Sequence, residues 1–210
     1  MANKDLTVIA SGGDGDGYAI GMGHTIHALR RNMNMTYIVM DNQIYGLTKG
    51  QTSPSSAKGF VTKSTPKGNI EKNVAPLELA LSSGATFVAQ GFSSDIKALT
   101  KMIEDAIHHD GFSFVNVFSP CVTYNKVNTY DWFKEHLTSI DDIEGYDITD
   151  KQLAMKTVLD HESLVKGIVY QDTTTPSYES QISELEHEAL AKRDIHITEE
   201  TFNDLTAQFL

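Results

Sequence analysis

Cysteine is nearly absent. The 210 residues contain one, Cys121, so an internal disulfide is excluded and a reducing, cytoplasmic setting is expected. Long apolar runs are absent too. No stretch approaches the ~20 residues that cross a bilayer, and the opening MANKDLTVIAS lacks the basic segment and apolar core of a secretory signal. Positive charge is in deficit. Seventeen Lys and Arg stand against 28 Asp and Glu, a net charge of −11, which argues against non-specific binding to nucleic acid or to an anionic membrane. A local basic pocket is still allowed. Internal repeats and low-complexity tracts are also lacking. The length suits one full-sized domain, or a domain with an appendage.

What is present is an alternation of strand and helix patterns. Residues 6–11 (LTVIAS) form a short apolar, β-branched run ending at glycines, as a buried parallel strand does. Residues 18–31 place Ile20, Ile26 and Leu29 among small residues and end on Arg30-Arg31, which predicts a helix with its C-terminus capped by the basic pair. Further strands are expected over 36–40 (TYIVM), 86–90 (TFVAQ) and 112–118 (FSFVNVF). A short helix over 76–82 starts at a proline. A longer one, capped by Ser94, runs to His109 with Gly111 just past its end. Residues 42–73 show little periodicity, and a loop of that length is usually functional or disordered. The alternation predicts an α/β fold: a mostly parallel sheet flanked by helices. The tail reads differently. ISELEHEALAKR and TEETFNDLTAQFL look helical, so an α/β domain over 1–125 is expected with an α-rich C-terminal extension over 126–210.

The stretch GGDGDGYAIGMGH, residues 12–24, follows the first strand, and ligands of an α/β sheet sit at the carboxyl ends of strands. Glycines let the backbone approach a diphosphate, and the next helix N-terminus favours anions. Neither the dinucleotide G-x-G-x-x-G nor the Gly-Lys-Ser/Thr of a triphosphate loop fits. Asp14 and Asp16 would repel a bare phosphate. A carboxylate beside a diphosphate is tolerable when a divalent cation lies between, and magnesium commonly bridges protein oxygens to phosphates. A second donor should come from the neighbouring strand end, Asp41-Asn42-Gln43-Ile44-Tyr45-Gly46. There Asn42 supplies a side-chain oxygen and a turn can present a carbonyl.

A GDG followed by an Asn at the next strand end resembles the thiamine diphosphate–magnesium motif. The version here, GGDGDGYAIGMGH and then IVMDNQIYGLTKGQTSP, resembles the β subunit of the 2-oxoacid:ferredoxin oxidoreductases from residue 6 through at least residue 125. That resemblance implies the thiamine diphosphate-binding fold. It implies magnesium ligands at Asp14, at Asn42 28 positions later, and at the backbone carbonyl of Ile44. Gly13 and Gly15 would hug the diphosphate, with Asp16 and His24 near the cofactor. Tyr45, Gly46, Leu47, Thr48, Lys49, Gly50 and Gln51 would form the loop beside the cofactor and the substrate entrance. Lys49 would neutralise diphosphate or a substrate carboxylate in catalysis; read alone, it is a solvated loop lysine. The segment SPCVTYN, residues 119–125, matches the position of one [4Fe–4S] ligand. Such a cluster needs four thiolates. In the family the other three precede the glycine loop, in a segment this sequence is expected to lack. Read alone, Cys121 is a small buried hydrophobe.

The implied activity is oxidative decarboxylation of a 2-oxoacid, 2-oxoglutarate before pyruvate, to an acyl-CoA with electrons passed to ferredoxin. An α subunit would complete the site, so the isolated chain is expected to be inactive without that subunit and the N-terminal segment it is expected to lack. Two alternatives stay open: a non-oxidative thiamine diphosphate decarboxylase or carboligase, and a silent binding or assembly module. Elsewhere, His108-His109-Asp110 reads as a helix end before a metal cluster, and the acidic patches 184–188 and 199–204 read as solvated helix faces.

Overall fold

Six strands form one sheet in the order β1-β2-β4-β3-β6-β5. The structure is a computed structural model that describes residues 2–185, 188–194 and 196–209. In chain order the elements are β1 (Ile9–Gly13), α1 (Met22–Arg31), β2 (Met35–Asp41), α2 (Pro76–Ser82), β3 (Phe87–Phe92), α3 (Ile96–His108) and β4 (Phe112–Phe118). There follow α4 (Tyr130–His136), β5 (Thr138–Ser139), α5 (Lys151–Asp160), β6 (Val165–Gln171) and α6 (Glu199–Ala207). Strands β1, β2, β4 and β3 are mutually parallel, β6 runs antiparallel to β3, and β5 is parallel to β6. The fold is the expected α/β class.

The central strands explain their own sequences. Every residue of β3 and β4 is buried, as a strand covered on both faces requires. Alternation then sorts their side chains. Val88, Phe112 and Phe114 join the core under α1, α2 and α5, while Phe87, Ala89, Val115 and Val117 join Met102 and Ala106 of α3 on the other face. A third cluster, Phe92, Phe118 and Phe133, caps the carboxyl end of these strands, with Phe118 stacked on Phe133 at 4.4 Å.

Several local expectations are corrected. The first strand pairs at Ile9–Gly13 rather than 6–11, because its neighbour β2 sets the register Ile9↔Thr36 through Gly13↔Met40. The helix over 18–31 is broken. A wide π turn over Asp16–Ile20 closes through the Gly21 N–H donating to the Asp16 carbonyl at 2.7 Å, and α1 begins only after it. A Cβ on Gly21 would lie 2.6 Å from that carbonyl oxygen, so glycine permits the turn. Asn32, left-handed at φ 52°, ends α1 where the Arg pair was expected to. Asp95, not Ser94, caps α3 by accepting from the Ala98 N–H.

The C-terminal part departs most from expectation. Strand β6 enters the main sheet beside β3, and α5 lies beside α2 on its face. VKGIVYQ falls inside the stretch expected to be α-rich, and it forms a strand instead. The free edge of β3 decides it. The described residues of ISELEHEALAKR form two short 3-10 turns, Ser183–Leu185 and Leu190–Lys192, instead of a helix. Positions 186 and 187, inside the acidic patch 184–188, lie outside the described residues. Helix α6 forms as expected, capped by Thr198.

Candidate functional site

Parallel pairing places the two motifs side by side. Gly13 and Met40 are register partners, so Asp14 leaves β1 beside the point where Asp41 closes β2 and Asn42 follows. Asp14 is only 3% exposed. The hydroxyls of Ser53 and Ser55 both donate to its Oδ2, the second at 2.8 Å. Both serines come from the long loop after β2, which carries no helix or strand of its own. The Ser56 hydroxyl ties that loop back by donating to the Gln43 carbonyl at 2.6 Å.

Asn42 and Ile44 form a tight turn. The Ile44 N–H donates to Asn42 Oδ1 at 3.0 Å, and burial of the Ile44 side chain anchors it. The ring of Tyr45 then lies over Gly15. Any Cβ there would run into Tyr45 Cε1, so glycine is required for the two loops to meet. The 119–125 segment closes the third side. The Asn125 amide donates to the Asn42 carbonyl at 3.4 Å. A Cβ on Gly46 would lie 3.7 Å from Cys121 Sγ, and one on Gly50 would lie 3.2 Å from the Tyr124 ring. Gly50 also holds φ at +99°, which disfavours other residues. Three loops therefore converge at the carboxyl ends of β1, β2 and β4, bringing together Gly13, Asp14, Gly15, Asn42, Ile44, Tyr45, Gly46 and Cys121.

The remaining sequence candidates are placed apart from that cluster or at its rim. Asp16 is exposed, and its carboxylate folds back over Gly12 towards Tyr37. His24 lies exposed in the first turn of α1. Leu47 is fully exposed at the tip of the 45–51 turn. Thr48 donates to Gln51 beside it, and Lys49 is exposed with φ +75°.

Beneath the site runs a chain of buried polar side chains that the sequence did not reveal. The Tyr18 hydroxyl donates to Asn116 Oδ1 at 2.6 Å, and the Asn116 amide donates to Gln90 Oε1 at 2.9 Å and to Asp41 Oδ2 at 3.5 Å. Gln90 donates onward to the Ser163 and Val165 carbonyls, at 2.7 Å each. Asp41 sits at the end of this chain, 2% exposed. Burial, then the charge of Asp14, pushes its carboxyl up to about 7. Burial raises Asp14 as well, opposed by Ser53, Ser55 and the backbone N–H groups of Asp14 and Gly15. Cys121 is half-buried. Burial works to raise its thiol, but the N–H groups of Tyr124, Thr123 and Asn125 and the charge of Lys126 bring it below its ordinary value.

Ser53 and Ser55 were also missed by sequence reasoning. The one available signal was TSPSS, an uncharged small-residue run inside a loop otherwise dotted with lysines.

Comparison with known proteins decides the family. A family model described as the thiamine pyrophosphate enzyme C-terminal TPP binding domain matches residues 1–117. The chain belongs to the thiamine pyrophosphate enzymes. A second model, for the C-terminal part of the pyruvate ferredoxin oxidoreductase beta subunit, matches residues 121–187 of this thiamine pyrophosphate enzyme. The β subunit of a 2-oxoacid:ferredoxin oxidoreductase from a Sulfolobus species is 42% identical over 87% of this chain and 63% of its own length. The 2-oxoglutarate oxidoreductase subunit KorB of Mycobacterium tuberculosis is 46% identical over 60% of this chain and 34% of its own. A solved 2-oxoglutarate:ferredoxin oxidoreductase from Magnetococcus marinus, with 2-oxoglutarate, coenzyme A and succinyl-CoA bound, superposes with a TM-score of 0.84 at 36% identity. It covers 95% of this chain and 67% of that one. The chain thus falls among the 2-oxoacid:ferredoxin oxidoreductase β subunits, and it spans under two thirds of the Sulfolobus relative.

The residues fit a magnesium–diphosphate group. Asp14 and Asp41 are buried carboxylates at adjoining strand ends, and among the described residues neither has a Lys, Arg or His ion pair. Two such groups resist being charged together, and a divalent cation bound beside them would lower that resistance. Among the described residues no group of three or more His, Cys, Asp or Glu could hold a metal. One carboxylate, one amide oxygen and one backbone carbonyl form a different donor set, suited to a hard cation that keeps phosphate and water ligands. A [4Fe–4S] cluster does not fit. It needs four thiolates, and the chain has one cysteine.

Proposed function

We propose that this chain is the cofactor-holding part of a cytoplasmic β subunit that works with an α subunit. The reaction would be oxidative decarboxylation of a 2-oxoacid, 2-oxoglutarate before pyruvate, to an acyl-CoA, with electrons passed to ferredoxin. One observation carries the reading: buried Asp14, the Asn42–Ile44 turn and the Cys121 loop meet at the ends of three parallel strands. Asp14, Asn42 and the Ile44 carbonyl would hold magnesium against the diphosphate. Thiamine diphosphate, when bound, supplies the nucleophilic carbon and the electron sink for decarboxylation.

The chain's own residues bind and orient. Gly13 and Gly15 let the backbone come close to the diphosphate. Tyr45 closes over Gly15 and keeps the two loops in register. Asp16 and His24 would sit at the periphery of the cofactor. Lys49, on the exposed turn with Leu47 and Thr48, would present its ammonium to a substrate carboxylate or to the diphosphate. The preference for 2-oxoglutarate is supported by relatives named for that substrate in Mycobacterium tuberculosis and Archaeoglobus fulgidus. Ferredoxin and the 2-oxoacid come from the names of the relatives, and coenzyme A from the ligands of the Magnetococcus marinus structure.

Calorimetry tests the reading. Thiamine diphosphate with Mg2+ is expected to bind, and Asp14→Ala is expected to abolish binding. With an α subunit added, a viologen dye should be reduced faster with 2-oxoglutarate and coenzyme A than with pyruvate. No cofactor binding by the unmodified chain at millimolar concentration overturns the proposal.

A further inference from the structure

Two serines outside the metal-binding motif converge on one atom of it. Ser53 and Ser55 belong to a loop 39 and 41 residues beyond Asp14, yet both hydroxyls donate to Asp14 Oδ2. A carboxylate with two hydroxyls on one oxygen cannot rotate about its last bond without breaking both. Its second oxygen, Oδ1, therefore keeps a constant direction. The clamp is built rather than incidental, because all three side chains are buried. Ser53 is itself anchored, its N–H donating to Ser56 Oγ at 2.8 Å, and Ser56 reaches the Gln43 carbonyl in the adjoining Asn42–Ile44 turn. The same loop thus braces two of the oxygen donors at once.

We propose that Ser53 and Ser55 are positioning residues that aim Asp14 Oδ1 at the cation, and that they set the selectivity for magnesium. This rests on the magnesium reading above. Hydrogen bonds from outside the coordination sphere orient metal ligands, and losing one typically costs ~10–100-fold in metal affinity. Magnesium demands near-ideal octahedral geometry, whereas calcium accepts a flexible ligand set at longer distances. A carboxylate free to swing should therefore harm magnesium binding far more than calcium binding. If the hydroxyls only solvate a buried acid, their loss should weaken both ions alike.

The experiment measures Mg2+ and Ca2+ affinities by calorimetry at saturating thiamine diphosphate, using the full chain and its Ser53→Ala/Ser55→Ala variant. The expected result is a loss of at least ~10-fold for Mg2+ and a clearly smaller loss for Ca2+. A Ser53→Thr/Ser55→Thr variant, which keeps both hydroxyls, should recover the ratio. Unchanged Mg2+ affinity, or equal losses for the two ions, overturns the inference while leaving the magnesium site intact. Failure of the unmodified chain to bind Mg2+ with thiamine diphosphate overturns the underlying reading and this inference together. Should the double variant not fold by circular dichroism, each single alanine variant gives the same Mg2+ to Ca2+ comparison with one hydroxyl left on Oδ2.

Discussion

Gly15 shows how much one residue decides. Its backbone is ordinary, at φ −66° and ψ −30°, so conformational freedom is not the reason for glycine. The reason is room for the Tyr45 ring. Gly15→Ala would force that ring away, and overpacking of this kind typically costs about 1–3 kcal/mol. Urea unfolding should show that loss, and calorimetry should show weaker thiamine diphosphate binding. Tyr45→Leu in the same chain should recover part of the stability. The sequence made Asp14, Asn42 and Gly15 legible as a motif, since their spacing is local to two strand ends. It said nothing of Tyr45 against Gly15, because a ring's direction depends on the turn that carries it.

At the scale of elements, the opposite end of the sheet is tied by a buried polar knot. Asn32, which ends α1, accepts from the Phe112 N–H at 2.8 Å and from the Thr86 hydroxyl at 2.6 Å, so it joins α1 to the starts of β3 and β4. Its amide donates to the Pro176 carbonyl at 3.0 Å and brings in the segment after β6. Because Thr86 spends its proton on Asn32, the His109 ring must donate to Thr86 through Nε2 at 2.7 Å. His109 is a structural histidine here, not half of a metal pair with exposed His108.

That histidine makes stability depend on pH. Burial holds His109 below its ordinary value, against the pull of Asp110 and Asp172. The folded state therefore keeps it neutral while the unfolded chain takes up a proton near pH ~6.5. Its contribution is complete above that pH and is lost as pH falls from there through the folded value. The slope is at most ~1.4 kcal/mol per pH unit for one proton. Urea unfolding between pH 7.5 and 5.5 (~2 units, spanning the histidine range) should show a steeper decline for the natural chain than for His109→Gln. Parallel curves would contradict it.

For the whole molecule, the edges of the sheet matter. Among the described residues strand β1 pairs with β2 on one side only, and Leu6 and Val8 just before it and Ile9 at its start are exposed. An apolar edge of this kind is a template for pairing with another chain. Val8→Lys is expected to reduce self-association, measured by light scattering, while changing stability by less than ~0.5 kcal/mol as exposed substitutions do. Equal association of the two chains would show that the edge is already shielded. Among the described residues no helix is long and apolar enough to cross a membrane.

By itself the sequence determined the α/β alternation, the buried central strands, the Asp14-to-Asn42 spacing and, through a single cysteine, the misfit with an iron–sulfur cluster. Each of these is written in local periodicity, motif spacing or composition. Only the tertiary structure decided that β6 joins the sheet, that Asn116 and Gln90 bridge four strands, and that Ser53 and Ser55 grip Asp14. Asn116 and Gln90 stand 26 residues apart, Gln90 and Val165 75, and the serines 39 and 41 from Asp14. Contacts at such separations leave no repeating signal in the residues between them, and they exist only once the strand order has brought their ends together.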